Sequence, residues 1–129
     1  MGFTARHRYW RPEWSDEENA DRFGPWADLA EHSHGYRCEV TVEGEIDPGT
    51  GMAVNLQLLD ELLERAVRAP LDGALLNEVA EFRGPCAVPT TENIARVVWA
   101  RVVGTIPGCR LVEVRVHEDA DLWATYRGE

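Results

Sequence analysis

Basic residues are few in this chain, and they form no continuous stripe. The 13 basic residues are arginines scattered among 23 Asp and Glu residues, so the formal net charge at pH 7 is −10. Binding to nucleic acid phosphates requires a basic patch, and the composition therefore argues against a nucleic acid partner. Arg6, Arg8 and Arg11 are grouped near the start. Because charged faces are usually solvated, we interpret them as a solvated or subunit-facing stripe rather than an anion site.

Long apolar runs and a leader-like start are also missing. No run approaches the length that spans a bilayer, and no basic stretch followed by an apolar stretch opens the chain. We therefore expect neither insertion into a membrane nor secretion through a signal peptide. The 129 residues suffice for one domain, 1–129, with a core of modest size.

Cysteine is scarce and irregularly spaced. Cys38, Cys86 and Cys109 are odd in number and far apart, so they form neither a disulfide framework nor a Cys-x-x-Cys zinc site. Cys38 is interpreted as a core thiol within a strand. A reducing cytoplasm is the expected location.

Three histidines occupy the apolar phase of two predicted strands. His7 alternates in step with Phe3 and Ala5, and His32 and His34 open a run of alternating apolar residues. Side chains two apart in a strand point to the same face, so all three imidazoles can converge on one metal ion. Three neutral nitrogens with a fourth position left open are typical of a catalytic zinc site.

The alternative for each histidine is a hydrogen-bonded core or cleft residue. A His-x-His pair alone is a weak signal. However, burying three imidazoles in phase without a shared partner is costly, which favours the metal site. Iron, nickel or cobalt would also suit three histidines. His117 is out of phase with the apolar residues of its strand and is predicted to be exposed.

The hydrophobic pattern predicts an α+β fold with a four-stranded antiparallel sheet and two helices packed on one face. Strands are predicted at residues 2–10, 34–46, 109–118 and 121–127. Asn55 and Thr90 are predicted to cap the two long helices. Ser15 and Glu18 are predicted to form a capping box at the start of a short helix over 16–22. A loop is predicted at 24–31, and 70–89 is predicted to be a long connection that can hold some local helix.

Short motifs follow one another in a fixed order through nearly the whole chain. They are Phe3-x-Ala5-x-His7, the stretch 15–19, His32-x-His34-x-Tyr36, the stretch 43–52, Asn55-Leu56, the stretch 89–93 and Glu118. In this order they resemble the 6-pyruvoyl-tetrahydropterin synthase family, which includes 6-carboxy-tetrahydropterin synthase. The resemblance implies the tunnelling fold, in which sheets of several subunits join into a barrel. It further implies a homohexamer built from two trimers, with active sites between subunits.

The resemblance also implies a set of site residues. Zn²⁺ would be held by His7, His32 and His34. A pterin-type heterocycle would be anchored by Glu118 and by the segment Thr90-Thr91-Glu92.

Glu118 has a physical argument of its own. It ends a row of alternating valines, and a half-buried carboxylate needs a donor partner. The N–H groups of a pterin-like amide would satisfy both of its oxygens. An arginine or a solvent-facing strand end is the alternative, and the resemblance favours the ligand.

Two departures from the family pattern change the expected chemistry. The family has a catalytic cysteine six residues before the first histidine of the His-x-His pair, and this chain has Trp26 at that position. The family also has an Asp-His pair at the position where this chain has Asp72-Gly73. A base is still required, and the candidates are Asp28, Glu31 and Asp72. Trp26 would form a wall that stacks on an aromatic substrate, or it would only pack.

Together these features predict a zinc-dependent lyase or cyclase that acts on a pterin-like or altered small substrate. Zinc with an open position polarises a hydroxyl or carbonyl oxygen and lowers its pKa. Two alternatives remain at this stage. One is a non-catalytic pterin-binding or small-molecule-binding protein that keeps the zinc site, and the other is a metal-free structural oligomer.

Overall fold

The computed structural model describes residues 1–84 and 87–129, so Cys86 lies outside the described residues. Four strands are present: β1 Gly2–His7, β2 His32–Glu43, β3 Arg110–His117 and β4 Trp123–Tyr126. The α-helices are α1 Asp16–Phe23, α2 Leu56–Leu63, α3 Ala69–Leu71 and α4 Thr91–Val102. Three 3₁₀ turns lie at Gly24–Asp28, Leu76–Glu78 and Ala80–Phe82, and a π-helical turn, Glu64–Arg68, joins α2 to α3.

The strands form one antiparallel sheet in the order β1-β2-β3-β4, which confirms the predicted sheet. The side chains of β1 alternate between exposed and buried along its whole length. The β2–β3 register shifts between Thr41 and Val42. This bulge explains why Leu111 is buried together with Val114 and Val116, although simple alternation would expose it.

Strand β1 ends at His7, three residues earlier than predicted, because its neighbours change there. The backbone N–H of Arg8 donates to the Asn77 side chain at 2.8 Å, and that side chain donates back to the Arg8 carbonyl at 2.9 Å. Earlier along the same edge, Gly73 N–H donates to the Thr4 carbonyl at 2.6 Å. The segment after α3 thus covers the outer edge of β1, which would otherwise be open.

Strand β2 begins at His32, two residues earlier than predicted, and ends at Glu43 rather than at residue 46. The strand ends just before Gly44, where the backbone of Ala53 comes close. A side chain at Gly44 would place its Cβ only 2.8 Å from the Ala53 carbonyl oxygen. The β3–β4 hairpin is shorter than predicted because its turn is held by Asp119. The Asp119 carboxylate accepts hydrogen bonds from the backbone of Asp121 at 2.7 Å and of Leu122 at 2.9 Å.

The predicted helix caps are confirmed. The Ser15 hydroxyl accepts from Glu18 N–H at 3.1 Å, and the Asn55 side chain accepts from Gln57 N–H at 3.1 Å. Thr90 caps α4 through Asn93 N–H at 3.2 Å. The predicted loop 24–31 is partly wrong, since 24–28 is a 3₁₀ turn. The first long helix continues to Leu71, and the connection after it holds the expected local helix as two 3₁₀ turns.

Helices α2 and α4 cover one face of the sheet, and the core lies between these layers. The buried apolar residues of β1, β2, β3 and the helices form one cluster: Phe3, Ala5, Tyr36, Cys38, Leu59, Leu62, Leu63, Val67, Leu71, Leu76, Phe82, Ile94, Ala95, Val98, Val102, Ile106, Leu111, Val114 and Val116. Burial raises the pKa of the Cys38 thiol to about 12, as expected for a core thiol. Among the described residues, no helix has both the length and the hydropathy needed to cross a membrane.

Arg101 ties α4 to the irregular segment beside it. Its guanidinium donates to Glu81 at 2.6 Å and 2.9 Å and to the Ala66 carbonyl at 3.0 Å. The hydrogen bonds from Arg101 hold the pKa of the Glu81 carboxyl below its ordinary value of 4.5. A carboxyl group with a lowered pKa in the folded state stabilises the fold above the unfolded-state pKa, and this contribution disappears as the pH falls through the folded-state pKa.

We expect Glu81→Gln to lower the free energy of unfolding at pH 7 by up to about 1 kcal/mol, the range for a partly exposed ion pair. The difference from wild type should shrink as the pH falls below 4.5. Urea unfolding at pH 7 and at lower pH values checks this. Glu45→Gln, at an exposed position, serves as the control and should have no comparable effect. A difference that grows on acidification would contradict the ion-pair explanation.

Candidate functional site

The predicted histidine cluster forms where β1 pairs with β2. His7 lies directly opposite His32 in this register, and His34 follows two residues later on the same face. The ring centroids of His7 and His32 are 4.6 Å apart, those of His7 and His34 5.0 Å, and those of His32 and His34 4.9 Å. The structure therefore brings all three predicted ligands together. They lie at the end of the sheet where the buried face meets solvent.

Backbone carbonyls fix the tautomers of two of these rings. His7 Nδ1 is 2.8 Å from the Pro89 carbonyl oxygen, and His32 Nδ1 is 3.1 Å from the Ala30 carbonyl oxygen. A carbonyl oxygen can only accept, so each Nδ1 carries a proton. Burial lowers the pKa of His7, which favours the neutral ring. With Nδ1 protonated, Nε2 of a neutral ring offers a lone pair, as in metal-bound histidines whose other nitrogen donates to a carbonyl.

The Nε2 atoms of the three rings face one another at short distances. His7 Nε2 and His32 Nε2 are 3.0 Å apart, and neither carries a hydrogen in the neutral tautomer. His34 Nε2 is buried and lies 2.7 Å from Glu118 Oε1, but it lacks the alignment of a hydrogen bond. Two ligands of a tetrahedral zinc ion are about 3.3 Å apart. The spacing and the donor types therefore fit a bound metal ion.

Glu118 is part of this cluster. Its carboxylate is only 6% exposed, and one ligand atom from each histidine and from Glu118 lie within 4.8 Å of one another. The Thr91 hydroxyl donates to Glu118 Oε2 at 2.7 Å. The sequence pattern predicted a buried carboxylate that needs a donor. It did not show that the donor is a threonine at the first turn of α4, or that the carboxylate contacts a histidine.

A cleft of about 610 Å³ opens onto the cluster. This volume is within the range of sites for small molecules. Its lining combines aromatic, aliphatic, acidic and basic side chains: Tyr9, Arg22, Phe23, Trp26, Leu29, His32, His34, Thr90, Thr91, Glu92, Glu118, Asp119 and Leu122. Trp26 is 59% exposed, and its ring centroid is 6.2 Å from that of Tyr9. Trp26 thus forms a wall of the cleft rather than part of the core.

Two tyrosines of the site were not singled out from the sequence. Tyr9 lines the cleft, and burial raises its pKa to about 12. The Tyr36 hydroxyl lies 3.3 Å from His7 Nδ1, and burial raises its pKa as well. Both continue the strand phase of the histidines, so the same alternation could have identified them.

The three predicted bases are not among the residues that line the cleft. Glu31 forms an ion pair with Arg6 on the exposed face of the sheet. Asp72 accepts a hydrogen bond from the Thr4 backbone at 2.9 Å. Asp28 is exposed at the end of the 3₁₀ turn that carries Trp26. Of the three, only Asp28 shares a local element with a residue of the cleft.

The predicted substrate-binding residues, in contrast, come together. Trp26, Thr90, Thr91, Glu92 and Glu118 all line the same cleft. Sequence reasoning missed the apolar residues Leu29 and Leu122 and the charged residues Arg22 and Asp119. No periodic signal marks them, because each lies in or beside a turn. His117, which was predicted to be exposed, is partly buried on the opposite sheet face against Glu39 and Arg37.

Comparison with known proteins gives a consistent result. A family model described as 6-pyruvoyl tetrahydropterin synthase matches residues 1–129. A human 6-pyruvoyl tetrahydrobiopterin synthase is 39% identical over 130 residues, covering 100% of this chain and 88% of its own. A dihydroneopterin monophosphate aldolase from Pyrococcus furiosus is 33% identical over 93 residues, 72% of each chain. The structure of the Caenorhabditis elegans 6-pyruvoyl tetrahydropterin synthase has a TM-score of 0.87 and 28% identity, covering 100% of this chain and 91% of that one.

The histidine cluster leads to a direct prediction. His32→Ala removes one of the free nitrogens, so we expect protein purified with a divalent metal to lose its stoichiometric metal content, measured by mass spectrometry of the metal. His117→Ala is the matched control, because His117 lies on the other face of the sheet, and it should retain the metal. Full metal occupancy in His32→Ala would rule out the assignment of this residue as a ligand.

Proposed function

This chain belongs to the 6-pyruvoyl tetrahydropterin synthase family, and we propose that it is a zinc-dependent lyase that acts on a pterin-like substrate. The observation that carries the proposal is the set of three histidines at the end of a small-molecule cleft. Two of them have Nδ1 bound to a carbonyl and Nε2 free for a metal. The fold and the family are those of pterin enzymes, whereas the metal and the reaction are inferred.

Zinc suits this donor set because three neutral imidazoles leave a position for an oxygen ligand. Bound zinc would polarise a hydroxyl or carbonyl oxygen of the substrate side chain and make the neighbouring carbon more acidic. The protein's own contribution is orientation. The carbonyls of Pro89 and Ala30 orient the rings of His7 and His32. The Tyr36 hydroxyl also contacts Nδ1 of His7.

The polar and aromatic sides of the cleft match the two properties of a pterin. Glu118 and the Thr90-Thr91 segment offer a carboxylate, hydroxyls and backbone groups for the amino-amide edge of the heterocycle. The exposed Trp26 ring is apolar, unlike these residues, and offers a surface on which a flat heterocycle can stack. Glu92 lines the same cleft and can contact the substrate.

A base must still accept the proton from carbon, and Asp28 is our first candidate. It is exposed beside the cleft, whereas Glu31 is paired with Arg6, and Asp72 is bound to the Thr4 backbone. These two would serve only if a neighbouring subunit presented them to the cleft. That arrangement belongs to the homohexamer that we infer from the family, with active sites between subunits.

A second candidate function is binding of a pterin without catalysis. It is favoured by the absence of the family's cysteine and histidine, which are replaced by Trp26 and Gly73. Gly73 has φ of 75°, a left-handed conformation that side chains rarely adopt, so a histidine would be strained there. The backbone at this position is therefore suited to glycine.

The compartment that we propose is the cytoplasm. Cys38 is a free, buried thiol, and Cys109 is a free thiol near the Ala53 carbonyl. Free thiols of this kind persist in a reducing environment.

The proposed function is tested by zinc content together with turnover of 7,8-dihydroneopterin triphosphate. We expect one zinc ion per chain and slow loss of substrate. Cleavage of a carbon–oxygen bond would release the triphosphate, and cleavage between carbons would release an aldehyde fragment, so the products identify the reaction. Zinc with saturable binding and no product would instead support the binding protein. A chain that binds no zinc would contradict both.

Asp28→Asn tests the proposed base. General base catalysis contributes about 10² to 10⁴ in rate, so we expect kcat to fall by about 10²-fold or more while substrate affinity changes little. Glu31→Gln and Asp72→Asn are compared with it under the same conditions. Loss of kcat in Asp72→Asn, with Asp28→Asn unaffected, would transfer the role to Asp72.

A further inference from the structure

We propose that Glu118 is a fourth protein ligand of the metal when no substrate is bound, and that it leaves the metal when a heterocycle with an amino-amide edge enters the cleft. This inference rests on the metal centre of the proposed function. It adds a second task to a residue that the sequence assigns only to substrate anchoring.

The position of the carboxylate supports the first part. Glu118 Oε1 is 2.7 Å from His34 Nε2 and 3.6 Å from His7 Nε2. These two distances lie on either side of about 3.3 Å, the separation between two ligand atoms of one tetrahedral zinc ion. The other oxygen, Oε2, accepts the hydrogen bond from Thr91. One oxygen thus faces the nitrogens while the other is held by the protein. This division is typical of a metal-bound carboxylate.

The charge balance points the same way. A buried carboxylate is unfavourable unless it is paired with a positive charge or fully hydrogen-bonded. Among the residues that the structure describes, no arginine forms an ion pair with Glu118, and its neighbours are a hydroxyl and the rings of His7 and His34. A divalent cation between the rings and Oε1 supplies the missing positive charge.

The two tasks of Glu118 exclude one another, which gives the second part of the proposal. A heterocycle edge with two N–H donors needs both carboxylate oxygens turned toward it. Oε2 already accepts from Thr91 and Oε1 faces the histidine nitrogens, so the carboxylate has to turn away from the metal to receive the edge. Binding of the heterocycle therefore removes Oε1 from the metal.

Metal affinity tests the first part. We expect Glu118→Gln to bind Zn²⁺ at least about 10-fold more weakly than wild type in competition with a chromogenic chelator, since outer contacts to ligands alone contribute about 10- to 100-fold. Glu113→Gln is the matched control, because Glu113 lies on β3, the strand that ends just before Glu118, and forms its ion pairs with Arg115 and Arg127. Wild-type affinity in a folded Glu118→Gln variant would overturn the proposal.

Cobalt-substituted wild-type protein tests the second part and does not depend on the stability of a variant. The probe is 7,8-dihydropterin, which has the amino-amide edge but no side-chain oxygen that could bind the metal. We expect its binding to change the visible absorption of Co²⁺ in the wild type but not in Glu118→Gln. Saturable binding, seen by calorimetry, with an unchanged wild-type spectrum would overturn the exchange.

These results are separable from the fate of the proposed function. Retention of metal in His32→Ala would remove the metal centre itself, and with it both proposals. An unchanged metal affinity in Glu118→Gln would remove only the fourth ligand and leave the three-histidine site intact.

Discussion

The register between β1 and β2 is the constraint on which the site depends. His7 is opposite His32, and the backbone hydrogen bonds of this pair set which side chains share a face. A shift by one residue would turn His7 to the exposed face and bring Arg6 or Arg8 into the core. Burial of Phe3, Ala5 and Tyr36 against the helices resists such a shift. The packing of apolar side chains therefore fixes the position of the three histidines.

Much of the fold and part of the site follow from alternation and caps. The period of two along β1 and β2 identifies both the core residues and the histidines, because one face of the sheet carries both. Asn55 and Thr90 mark helix starts through local hydrogen bonds with the next turn, which depend on adjacent residues alone. Features that depend on nearby sequence, or on a period, could be predicted in this way.

The remaining parts depend on contacts between distant segments. His7 Nδ1 binds the carbonyl of Pro89, 82 residues away, and any residue type offers such a carbonyl. The end of β1 depends on Asn77, and the end of β2 on the close approach of Ala53 to Gly44. The contact between Glu118 and His34 likewise joins the end of β3 to the start of β2. None of these pairs has a signature in a single sequence.

The histidine cluster lies in a different part of the fold from Trp26 and Gly73, which stand where the family has its cysteine and histidine. His7 is fully buried on a strand whose register is held by the core, so altering it would disturb buried packing as well as the histidine cluster. Trp26 lies on an exposed 3₁₀ turn and Gly73 on a turn after α3, and neither belongs to the core cluster. A substitution at the exposed Trp26 alters the cleft at little cost to the fold, whereas the left-handed backbone at Gly73 favours glycine. The fold thus holds His7 in place, whereas the exposed turn that carries Trp26 can change while the histidine cluster stays where it is.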